Sequence, residues 1–140
     1  MSKKSRSVSK VERARALVES SLKKWLKPLG LLWWDLTVCF YDDHNDIAQV
    51  FKTDADSTTV VAKTYVSWQY GTANVHFNLI ALVGMTADKV ERIVVHELVH
   101  ILINEMNEQE QHHEERVVTG LTKAFLWVED LLAIKEGKGN

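Results

Sequence analysis

Residues 92–104 read RIVVHELVHILIN, and from Ile93 to Ile103 every position is aliphatic except His96, Glu97 and His100. A run of this length with no turn residue reads as a helix buried nearly all round. Burying a hydrogen-bonding side chain without a partner costs about 1–3 kcal/mol, and an unpaired carboxylate costs more, so the three polar groups need something in common to satisfy them. Residues four apart on a helix lie one turn above each other. His96 and His100 therefore present their imidazoles to one point, with Glu97 beside them. This is the HExxH pattern, in which zinc takes both histidines and the glutamate serves as general base on a zinc-bound water.

A catalytic zinc site uses three protein ligands. In the extended motif a glycine and a third histidine would stand at 103 and 106, but this chain has Ile103 and Met106. The downstream run HHEERVVTGL, 112–121, offers a carboxylate on the next helix instead. Counting by three and four from Glu114 meets Val117, Val118, Leu121 and Phe125, whereas Glu115 meets Val118, Thr119 and Thr122. That pattern makes Glu114 the expected third ligand, with Glu115, His112 and His113 as the alternatives. The donors nearest the motif that could stabilise an oxyanion are His112, His113, Tyr65, Tyr70 and His76.

The pattern outward from the motif predicts an α+β domain. Ser9 and Glu12 have capping-box spacing, and Val11, Ala14, Leu17, Val18, Leu22 and Trp25 recur on one helical face until Pro28 and Gly30. Three strands are expected at 35–41, 57–68 and 73–82, rich in β-branched and aromatic residues, mostly antiparallel and separated by an acidic loop and a turn at Gly71. Thr86 with Asp88 should cap a helix over about 87–104, and a last helix should run over about 109–135. Residues 1–8 read as a disordered basic arm outside a single domain spanning 9–136.

Composition narrows the function classes. A 140-residue chain with 46% hydrophobic residues can bury one core, and its formal net charge of -2 provides no field to draw it to nucleic acid or an anionic membrane. The basic arm makes only a weak case for nucleic-acid binding. No apolar run approaches a bilayer span, and the N-terminus has no secretory h-region, so a cytoplasmic location is expected. The lone Cys39 supports no disulfide framework and reads as a buried strand residue, Trp33 and Trp34 as core or interface filler, and His44 as solvated.

The runs VHFN, TADKVERIVVHELVH and HEERVV resemble the small zinc metallopeptidases encoded by bacteriophages and prophages, minimal relatives of the gluzincins, over about residues 73–125. The resemblance implies a minimal zincin fold, Zn2+ as cofactor, a protein or peptide substrate, and the host cytoplasm as location. It also implies that the third strand, ANVHFNL, forms the substrate-binding edge above the active-site helix. The alternative is a zinc-stabilised, phage-encoded binding protein without catalytic activity.

Overall fold

The computed structural model describes residues 3–51, 60–67, 70–104 and 111–135, excepting the side chains of 3–8, 111–114 and 116. The first helix, α1 (Lys3–Trp25), begins well before Ser9. A Ser9–Glu12 capping box therefore does not start it, and the basic stretch from Lys3 onward is helical. Its inward face is the expected one: Ala14, Val18, Leu22 and Trp25 are buried, with Val11 and Leu17 packed beside them. The helix ends before Pro28, and Gly30, at φ 72°, turns the chain so that Leu29 and Leu31 return to the core.

Strand β1 (Asp35–Tyr41) follows. The acidic segment after it, expected as a loop, begins with a short helix, α2 (His44–Val50). Asp43 explains the difference, because its carboxylate accepts from the backbone N–H groups of Asn45 and Asp46 at 2.8 and 3.1 Å. His44 is exposed, as expected, and Phe51 behind the helix is buried. Strands β2 (Ala62–Ser67) and β3 (Thr72–Asn78) form a hairpin around Gly71, at φ 63°. A side chain at Gly71 would meet the Trp33 ring at 3.1 Å. Trp34 is core, but Trp33 is exposed, lying over this turn.

The sheet is mixed, in the order β1-β3-β2. β2 and β3 pair antiparallel as expected, but β1 and β3 run parallel, with Val38 opposite Val75. The hairpin places β3 between β1 and β2. Alternation within β1 is the same for either direction of pairing. Ala73, Val75 and Phe77 point into the core with Val38, Phe40 and Val66. The other face carries Cys39, Tyr41, Lys63, Tyr65 and His76. Cys39 is thus only half-buried rather than part of the core.

β3 stops at Asn78, short of the expected Leu82, because the Asn78 side chain accepts from the Ala81 N–H at 3.1 Å and starts the one-turn helix α3 (Leu79–Leu82). Thr86 then caps α4 (Ala87–Ile103), its hydroxyl accepting from the Lys89 N–H at 3.3 Å. α4 is enclosed by α1, β2 and the last helix, α5 (Gln111–Lys135), which is why Val90, Val94, Val95, Leu98, Val99 and Ile101 are almost wholly buried on several faces. Among the described residues, no helix is long and apolar enough to cross a membrane.

Candidate metal centre

α4 places His96 and His100 one turn apart, ring centroids 4.9 Å from each other and tilted by 74°. Both are half-buried where α4 passes under β2 and meets the start of α5. Glu115 on α5 completes the group. Its Oε2 lies 3.3 Å from His96 Nε2 and its Oε1 2.9 Å from His100 Nε2. One ligand atom from each of the three residues falls within 4.8 Å of the others. Two ligands bound to one tetrahedral zinc at its usual bond lengths lie about 3.3 Å apart. Two imidazoles and one carboxylate gathered this closely are a donor set that could hold a metal ion.

Among the described residues it is Glu115, one of the expected alternatives, that joins the two histidines. Val117, which was to share the inward face with Glu114, is 48% exposed, whereas Val118 and Thr122 are buried at 0% and 2%. Glu115, Val118 and Thr122 lie three and four residues apart and form the face turned to α4. Thr122 hides its polarity there by donating its hydroxyl to the Val118 carbonyl at 2.7 Å. The side chains of Glu114, His112 and His113 lie outside those described.

Glu97 is buried at 7% exposure, one residue round the helix from His96 and turned toward β2. The Thr64 hydroxyl donates to its Oε2. The same hydroxyl lies 3.4 Å from the Glu97 carbonyl, but it has one proton to give, and the carboxylate is the stronger acceptor. Burial pushes the Glu97 carboxyl above the ordinary carboxylate range; the Thr64 hydrogen bond and the nearby His100 and His96 oppose this, and the Glu115 charge adds to it. A carboxylate so displaced is a better proton acceptor near neutral pH. Thr64 is the site residue that sequence reasoning missed. A threonine on a strand has no distinguishing signature until the fold sets it over Glu97.

The four residues line an open cleft of about 760 Å³, together with β2 from Ala62 to Val66 and with Asn104. The strand above the helix is therefore β2. β3, expected there, is the central strand and offers no free edge. The oxyanion candidates divide accordingly. Tyr65 lines the cleft, although its ring stands edge-on to His76 at 5.5 Å. His76 points to the other face of the sheet, sharing a 2.8 Å hydrogen bond with the Tyr41 hydroxyl. There, burial and then the Lys63 charge hold its pKa below the usual histidine value. Tyr70 is 80% exposed and does not line the cleft. Comparison with family models, curated proteins and solved structures finds no match.

Proposed function

We propose that this chain is a zinc-dependent metallopeptidase, with His96, His100 and Glu115 as ligands and Glu97 as general base. The observation that carries the proposal is the position of Glu97: a buried carboxylate beside the three-residue donor set, oriented by Thr64 and open to the cleft. A zinc site that only braced two helices would have no use for it, and structural zinc is usually closed by four protein ligands. The resemblance of residues 73–125 to minimal phage-encoded metallopeptidases supports the same reading.

Zinc at this site would supply a Lewis acid that lowers the pKa of water toward neutrality and polarises a carbonyl. The chain's own residues do the rest. Alternate backbone groups of an edge strand point away from the sheet, so β2 can pair with an extended peptide and lay it along the cleft. Glu97 takes the proton from the attacking water and delivers it to the leaving amine. Thr64 holds the carboxylate in the orientation that both transfers need.

The test is a peptide-library digest with zinc-loaded protein, alongside Glu97→Gln. Cleavage by the wild type that falls roughly 100-fold or more in the variant, at equal zinc content, supports the proposal. Equal cleavage by both would remove Glu97 from the reaction, and cleavage by neither would leave a zinc-binding protein without peptidase activity.

A further inference from the structure

α5 carries a second apolar seam, on the side turned away from the metal centre. Val117, Gly120, Ala124, Trp127, Leu131 and Ile134 recur at alternating intervals of three and four, the spacing that keeps one stripe facing a partner helix. All six are exposed, Trp127 and Ile134 at 65% and Leu131 at 44%. A continuous apolar stripe along roughly 25 Å of helix marks an interaction surface rather than a solvated face. Gly120 adds a second observation. A glycine inside a helix weakens it, yet a Cβ at Gly120 would meet nothing within 4 Å, so packing within the single chain gives no reason for its small size.

We infer that the seam is covered by α5 of a second copy of this chain, running antiparallel about a two-fold axis between Ala124 and Trp127. In that register Val117 meets the partner's Ile134, Gly120 meets the partner's Leu131, and Ala124 meets the partner's Trp127. Each small residue then lies opposite a large one. The flank agrees in charge, because Lys123 lies beside the partner's Asp130 and symmetry repeats the pair. A parallel pairing would stack Gly120 on Gly120 and Trp127 on Trp127, alternating voids with clashes. It would also set Lys123 against an uncharged Val128. The size and charge pattern therefore selects the antiparallel copy, and Gly120 is the point at which the two helices approach most closely.

Sedimentation equilibrium of the full chain tests this. The expected mass is twice the 16.0 kDa of one chain. Leu131→Glu and Gly120→Leu, both at exposed positions, should each raise the dimer dissociation constant tenfold or more while leaving the circular dichroism spectrum unchanged. Lys123→Asp should weaken the dimer, and Lys123→Asp with Asp130→Lys should restore it, since the swapped charges again attract across the seam. A single-chain mass at roughly 100 μM overturns the inference. So does a dimer indifferent to Leu131→Glu, or one that the double swap fails to restore.

Discussion

As the proposed general base, Glu97 is held under opposing demands. Chemistry asks for a carboxylate that ionises near neutral pH, whereas burial disfavours its charge. Because its folded pKa is raised, folding favours the protonated form: in metal-free protein the full stability is present below the ordinary glutamate value and is lost as pH rises through the raised value. Glu97→Gln should therefore raise the melting temperature of the metal-free protein at neutral pH by roughly a few °C, a gain that should vanish toward pH 4. Thermal melts across that range check it; an unchanged or lowered melting temperature at neutral pH would contradict it. Thr64→Val removes a hydrogen bond that lowers the Glu97 pKa, so the acid limb of the kcat/KM profile should move to higher pH and kcat should fall about tenfold or more, with little change in KM. A profile that fell in amplitude without moving would show that Thr64 acts on something other than the Glu97 carboxylate.

Individual elements were legible in the sequence in proportion to how local their causes are. The inward face of α1, the Thr86 cap and the buried run of α4 follow from side chains within a few turns of one another. The direction of β1 and the central place of β3 depend on how the α2 connection and the hairpin meet, which no pattern within a strand records. On α5, Thr122 counts as polar in the pattern, yet its hydroxyl is satisfied by the Val118 carbonyl and the residue is buried, on the same face as Glu115. His96, Glu97 and His100 were readable because their spacing lies within one helix. The carboxylate on α5 and the hydroxyl on β2 required the tertiary fold. The register has a direct consequence: Glu115→Ala should lower zinc affinity by orders of magnitude, and titration against a chelator of known affinity measures it. Retention of wild-type affinity would place the third ligand elsewhere, with Glu114 the first candidate.

For the whole molecule, α5 is the element that the proposed metal would brace most. Its packing is mainly on α4, aided by an ion-pair cluster in which Lys24 of α1 reaches Glu91 of α4 at 3.0 Å and Glu129 of α5 at 3.2 Å. Exposed pairs of this kind contribute at most about 1 kcal/mol each. Zinc bridging α4 and α5 would contribute more, about 2.7 kcal/mol at a hundredfold excess over its dissociation constant. Chelation should lower the melting temperature by a few °C, and the shift should grow with the zinc concentration it reverses. Loss of Glu115 should abolish most of that shift.

The central claim, that α4 and α5 together hold one catalytic metal ion, is tested most directly by elemental analysis of purified protein after dialysis against zinc-containing buffer at a pH where histidine is neutral. The account predicts about one equivalent of zinc per chain. Less than roughly a tenth of an equivalent would contradict it.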